Sequence, residues 1–303
     1  ITRMSKIINN TSPLAIHLAG IIPIAGLEED FDLKTPACLL PVDRGYTAIQ
    51  KAVYECAMVG CKTIWIVANE DMAPVIKKVV GEQIHDPVYY RRPMSRPGDV
   101  QRIIPIFYAP IHPKDLNRRD SYGWSVLYGV RSVWRTAVTI SKWVAPEKYY
   151  VTFPMSAHNP YLLRKQRALI SRPGHNWFMT WEGKTVKDNM LLPFSMSGEE
   201  SMKCRRAVNK LTTREFVNPP PGEMPSEKLP FAERWSARTF DFRTVFAELT
   251  EDNANKFETD WFYDISTYEG YSRYLGSENF MKKPIKDLLG PRRDVKLPYR
   301  EDE

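Results

Sequence analysis

The stretch YTAIQKAVYECAMVG, residues 46 to 60, places Ile49, Ala52, Val53, Cys56 and Ala57 at three- and four-residue spacings and stops at Gly60. That is the period of a helix with one apolar face and a glycine just past its last turn. The next segment, KTIWIVA (62–68), is continuous in its hydrophobicity and rich in β-branched residues, as a strand covered on both faces is. Upstream, LAIHLAG (14–20) is another short apolar run ending in glycine. Strand, loop, helix and strand in succession make a βαβ unit, whose strands must run parallel and whose crossover is right-handed. The expected fold class is therefore α/β: three layers, α/β/α, around a mostly parallel mixed sheet.

The remainder of the chain extends this pattern. A second helix is expected from Met72 to Val80, and RIIPIFYAP (102–110) reads as a strand in which Pro105 marks an edge or a bulge. Residues 121–144 carry a helical period, and KYYVTFP (148–154) alternates like a strand reaching the sheet. From 161 to 235 the texture changes to basic clusters and a proline-rich turn region, read as a basic, loop-rich insertion. In DWFYDISTYEGYSRYL (260–275), Ser266 stands three residues before Glu269, a capping box that starts a helix after Asp264. The expected organisation is a nucleotide-binding core at 1–160, an insertion at 161–235, a return to the core at 236–280 and an extended tail at 281–303.

Composition narrows the function classes. The chain has 303 residues, 43% of them hydrophobic, and no apolar run long enough to cross a membrane. No secretory signal is evident in the first twenty residues, and Cys38, Cys56, Cys61 and Cys204 form no CxxC pair, so reduced thiols and a cytoplasmic location are expected. A net charge of +7 favours anionic ligands such as nucleotides or sugar phosphates. Nucleic acid is the less favoured anion, because the basic and aromatic residues of LLRKQRALISRPGHNWFMTW accompany no nucleic-acid-binding motif. The five histidines lack zinc-ligand spacing, and neither a G-x-S-x-G elbow nor a P-loop is present.

Three stretches could carry chemistry. In the loop from Ala19 to Asp43, Gly20 and Gly26 would let backbone N–H groups approach a nucleotide at the carboxyl ends of the strands. In YGWSVLYG (122–129), Gly123 and Ser125 stand at a helix start. In WFYDIST-x-E (261–269), Asp264 lies between an aromatic run and a capped helix, where a carboxylate could ligate a divalent cation.

Taken in order, LAGIIPIAGL, TPACLLPV, GCKTIWIVAN, GWSVLYG and WFYDISTYEGY resemble the sugar-phosphate nucleotidylyltransferase family. That family reads L-A-x-G-x-G-T-R, then P-K-x-L-x-P-V, a G-T-A-x-A nucleotide contact, an Asp after a strand, and W-x-D-I-G-T. The resemblance covers residues 14 to about 160 and about 236 to 276. It implies a GT-A-like sheet, nucleotide contacts at Ala19, Gly20, Gly26, Gly123 and Ser125, a metal carboxylate at Asp264, and Mg2+ if the chain is active.

The departures from the family pattern are specific. Ala25, Gly26 and Leu27 stand where the family has G-T-R, Ala37 replaces the lysine, and no carboxylate lies between Val151 and Pro160. Nucleotidyl transfer relies on cations around the phosphates, and losing one such contact typically costs on the order of a hundredfold in rate. Lys34 and Arg44 are the candidate replacements for catalysis, with Arg164, Lys165 and Arg172 as further cations, and Asp30 and Asp32 form an alternative D-x-D metal pair. Three functions are consistent with these residues. The first is a divergent nucleotidylyltransferase-like protein binding a nucleotide or nucleotide sugar. The second is a non-catalytic descendant using the sheet for protein contacts, for example in a viral assembly. The third is a glycosyltransferase with a nucleotide-sugar donor.

Overall fold

The structure is a computed structural model, and it describes residues 17–27, 30–31, 33, 35–43, 46–86, 103–112, 115, 121–140, 145–211, 221–222 and 240–282. Strand β1 (Leu18–Pro23) is followed by a 3-10 turn at Ala37–Leu39, the small hairpin β2 (Pro41–Asp43) and β3 (Tyr46–Thr47), helix α1 (Ala48–Val59) and strand β4 (Thr63–Ala68). Both β1 and β4 are buried at every position, as their continuous hydrophobicity requires. They pair in parallel, with Gly20 opposite Ile64. Helix α1 is capped at both ends: Thr47 and Gln50 form a capping box, and Gly60 closes the helix in the left-handed region at φ 98°.

Helix α2 (Ala73–Val80), β5 (Gln83–His85) and β6 (Ile103–Pro110) follow, then α3 (Tyr122–Arg135), which continues as a π-helical turn to Ile140. Residues 141–144 of the expected helix lie outside the described residues. β6 is an inner strand between β4 and β5, which Pro105 alone would not suggest. The ladder explains it: pairing of β6 with β4 begins at Ile106, one residue after the proline, so the missing N–H falls outside that ladder.

The chain goes on through β7 (Lys148–Val151), β8 (Ser156–His158), α4 (Pro160–Ile170), β9 (Trp177–Thr180), β10 (Phe194–Ser197) and α5 (Gly198–Leu211). It ends, over the described residues, with α6 (Phe242–Val245), β11 (Asn255–Glu258), β12 (Phe262–Asp264), α7 (Tyr268–Leu275) and α8 (Glu278–Lys282). The eight-stranded sheet has the order β11-β9-β10-β7-β1-β4-β6-β5. Among the described strands of this sheet, only β10 and β5 run antiparallel to their neighbours.

The segment expected as an insertion, 161–235, is thus built into the sheet over its described residues, with β9 and β10 standing between β11 and β7. Its strands WFMT and FSMS are four residues each, too short for an apolar period to stand out among the surrounding basic clusters. The tail beyond residue 282 lies outside the described residues.

Successive residues of β1 show how the layers form. A Cβ on Gly20 would meet Cys56 Sγ of α1 at 2.7 Å, whereas the next residue, Ile21, packs beside Gly129 of α3. Adjacent strand residues point to opposite faces, so α1 and α3 cover opposite sides of the sheet. α4 packs with α1, while α5 and α6 pack with α3, completing the α/β/α sandwich. Among the described residues no helix is long and apolar enough to cross a membrane.

Candidate functional site

From β1 the chain passes to β4 on one side of it, while β7 lies on the other. In open α/β sheets that reversal leaves a crevice beyond the carboxyl ends of the two strands, and ligands bind there. The first wall of the crevice is the turn after β1. The amides of Ile24 and Ala25 both donate to the Val67 carbonyl at the end of β4, at 2.8 and 3.1 Å. Gly26 then turns the chain at φ 79°, a conformation that side chains with a Cβ rarely adopt. Helix α3 fixes this turn from below. Ser121 caps the helix by accepting from Trp124 N, Ser125 Oγ donates to the Ala25 carbonyl at 2.6 Å, and Tyr122 Oη donates to the Pro23 carbonyl at 3.1 Å.

The second wall is residues 35–43 with α7. Tyr271 Oη donates to the Pro41 carbonyl at 2.7 Å and Tyr274 Oη to the Val42 carbonyl at 3.0 Å, tying β2 to α7. Phe31 packs edge-on against Tyr268 and Tyr271. Ala37, where the resembling family carries a lysine, is wholly buried in the core. β12 pairs antiparallel with β8, placing Asp264 opposite Ser156, just beyond β7. Asp264 is exposed, and its Oδ1 accepts from Ser266 N at 2.9 Å and Ser266 Oγ at 2.6 Å. The expected capping box is therefore displaced: Thr267 caps α7 by accepting from Gly270 N, because Ser266 is taken up by Asp264.

Behind β7 lies a buried polar network. Thr152 Oγ1 donates to Glu55 Oε2 at 2.6 Å, Lys51 Nζ is 2.9 Å from Glu55 Oε1, and Lys51 also donates to the Ser156 carbonyl. His158 Nε2 lies 3.4 Å from Glu55 Oε1, and its Nδ1 lies 3.5 Å from Ser156 Oγ. Burial pushes the Glu55 carboxyl up, but the Lys51 ammonium, His158 and the Thr152 hydrogen bond together hold it below its ordinary value. Burial pushes His158 down to about 4, against the pull of Glu55, so its ring is neutral near neutral pH. With Lys51, Glu55 and His158 all closed off from solvent, this network braces α1 against β7 and β8 and is not open to a ligand.

The sequence-derived site residues are distributed as follows. Ala19 and Gly20 lie within β1, which continues to Pro23, and both are buried. Gly26 and Ser125 come together through the Ala25 carbonyl. Gly123 is buried, and a Cβ there would meet Val245 of α6 at 2.9 Å. Asp264 stands on the second wall and Asp30 is exposed in the first loop, while Lys34, Arg44 and Asp32 lie outside the described residues. Arg164, Lys165 and Arg172 belong to α4 and the turn after it. Tyr122, Tyr271 and Tyr274 tie the turn after β1 to α3 and β2 to α7, and the sequence alone does not single them out. A lone tyrosine hydroxyl bonded to a carbonyl far along the chain leaves no local pattern. The Lys51–Glu55 pair does leave one, at i,i+4 on the apolar side of α1.

Among the described residues no three carboxylate, His or Cys side chains cluster as a metal cage. A magnesium ion that arrives with phosphates needs only one or two protein carboxylates. Asp264 fits that limited role, since its Oδ2 has no partner among the described residues. When bound, such an ion would neutralise phosphate charge.

No protein-family model matches the sequence, and comparison with curated proteins returns no match. Solved structures do match. A Bacillus anthracis protein assigned as a glucose-1-phosphate thymidylyltransferase, in complex with sucrose, superposes with a TM-score of 0.51 at 11% identity, covering 87% of this chain and 99% of that one. The fold is nucleotidyltransferase-like. A nucleoside-diphosphate-sugar pyrophosphorylase from Vibrio cholerae covers 85% of this chain and all of its own, at 12% identity and a TM-score of 0.49. A UDP-glucose pyrophosphorylase bound to UDP-glucose gives 12% identity and 0.49 over 86% of this chain and 97% of that one.

Proposed function

We propose that this protein binds a nucleotide or nucleotide sugar in the crevice between the carboxyl ends of β1 and β7, as a divergent nucleotidylyltransferase-like protein. The observation that carries this reading is the Gly26 turn, held at positive φ beside the switch point and fixed to α3 by Ser125. A glycine turn of this kind presents backbone N–H groups to a ligand without a side chain in the way. Asp264 is the protein carboxylate for a magnesium ion carried by the phosphates. The chain's own groups bind and orient the ligand from two walls. Leu27 and the buried Ala37 supply no cation on the phosphate side.

A second reading is favoured by that last point. Loss of both cations, with no carboxylate from Thr152 to Asn159, suits a descendant that keeps the sheet as a scaffold for protein contacts. A thermal-shift series with nucleoside triphosphates, sugar 1-phosphates and UDP-sugars, each with and without magnesium, separates the two. A ligand at ten times its Kd stabilises by about 1.4 kcal/mol, or roughly 2–4 °C in a chain of this size. No shift at millimolar ligand favours the scaffold. Pyrophosphate release with a triphosphate and a sugar 1-phosphate marks nucleotidyl transfer, whereas turnover of a UDP-sugar without it marks glycosyl transfer. Asp264→Asn is expected to remove the magnesium-dependent part of any shift, and an unchanged dependence takes Asp264 out of the site.

A further inference from the structure

At the opposite edge of the sheet, where β7 begins, a cleft of about 1080 Å3 opens between α3, α5 and the turn after α4. Its position follows from the register: Ser197, just before α5, pairs with Lys148, the first residue of β7. Drug-sized ligands occupy cavities of about 300–1,000 Å3, so a small molecule fits with room to spare.

The cleft is lined by four basic and four acidic side chains, and they differ in how they are paired. Glu199 is paired with Lys203 at 3.1 Å on the rim. The Glu200 carboxylate is fully committed, accepting from Asn176, from the amide and hydroxyl of Thr250, and from Ser197. Arg131, Arg206, Glu147 and Asp252 are exposed at the rim. What remains is Lys148 in the lining, 3% exposed, whose ammonium donates to the Arg172 and His175 carbonyls and has no carboxylate partner among the described residues. A buried ammonium in direct contact with neutral carbonyls alone is only partly compensated, and an incoming anion relieves it. Burial pushes Lys148 down to about 8, and the Glu200 carboxylate pulls the other way. The amino end of the fourteen-residue helix α5 borders the same cleft, but Ser197 and Glu200 cap it reciprocally, with Glu200 N donating to Ser197 Oγ at 3.2 Å and Ser197 N to Glu200 Oε2 at 3.4 Å, so the charge the cleft offers an anion comes from Lys148. On the wall stands Trp134, 48% exposed, a large apolar ring that solvent alone does not favour.

We propose that this cleft is a second ligand site, taking a small organic anion whose phosphate or carboxylate faces Lys148 and whose ring lies on Trp134. It shares no lining residue with the crevice between β1 and β7 and does not depend on the reading given to that crevice. The test uses phenyl phosphate as probe, followed by thermal shift and calorimetry, with phenol and inorganic phosphate as its two halves. Phenyl phosphate is expected to bind saturably and at least tenfold more tightly than either half. Trp134→Ala and Lys148→Met are each expected to weaken it tenfold or more, and UDP-glucose is expected not to displace it. If Lys148→Met fails to fold, Trp134→Ala decides alone, since its side chain is half exposed. Affinity unchanged in Trp134→Ala, phosphate binding as tightly as phenyl phosphate, displacement by UDP-glucose, or no binding at 10 mM probe would each overturn the proposal.

Discussion

Ala37 shows how one buried position can decide what chemistry a loop supports. The residue is fully enclosed in the core, so a lysine there would have to bury an ammonium or displace its surroundings. Ala37→Lys is therefore expected to lower stability by about 2 kcal/mol or more in urea unfolding, without creating triphosphate binding. His158 gives a pH signature at the same scale. Its folded value of about 4 lies below the ordinary value of 6.5, so between these values the unfolded chain binds the extra proton. Its stabilising contribution is complete above pH 6.5 and is lost as pH falls toward 4, by up to about 3 kcal/mol. The melting temperature should decline across that window, and His158→Gln should flatten the decline; an equal decline in the variant assigns it to other groups. Glu55→Gln leaves Lys51 without its charge partner in the core, a loss of about 3–5 kcal/mol for a broken buried pair. The identity of Ala37 was plain in the sequence, but its burial was not, because a three-residue turn has no period from which to read a face.

At the scale of elements, the contacts that shape the crevice cross long stretches of chain. Tyr271 and Tyr274 bond carbonyls 230 and 232 residues away, holding β2 to α7. Replacing both with Phe should cost about 1 kcal/mol per hydrogen bond and speed amide exchange across 37–43. Unchanged exchange there would show that α7 does not brace the loop. Gly270 is constrained more tightly, since a Cβ on it would collide with the Asp264 carbonyl, so Gly270→Ala should displace α7 from β12. Helix α1 and strand β4 were legible because each carries a long, unbroken pattern, and Gly60 ends the helix as its spacing predicts. The start of α7 was displaced by one residue because Asp264 competes for Ser266, a tertiary choice that a four-residue motif does not encode. β1 likewise runs past Gly20, where Cys56 of α1 uses the space the glycine leaves.

For the molecule as a whole, the sheet unites segments that composition separates. β9 and β10 stand between β11 and β7, so a chain lacking 161–211 should fail to fold cooperatively, whereas a true insertion could be removed. Basic clusters made this region look peripheral; its short strands are recognised only by the neighbours they join. The carboxyl-edge crevice follows from the strand order and was foreseeable from the βαβ unit, whereas the cleft at the amino edge depends on Lys148 meeting α5 and was not. The most direct test of the central claim is calorimetric titration of the preferred nucleotide or UDP-sugar into the wild-type chain, Ser125→Ala and Gly26→Ala. Tight binding by the wild type, weakened about tenfold or more (~1.4 kcal/mol) in both variants, places the ligand on the turn after β1. Absence of binding, or equal affinity in all three proteins, would contradict it.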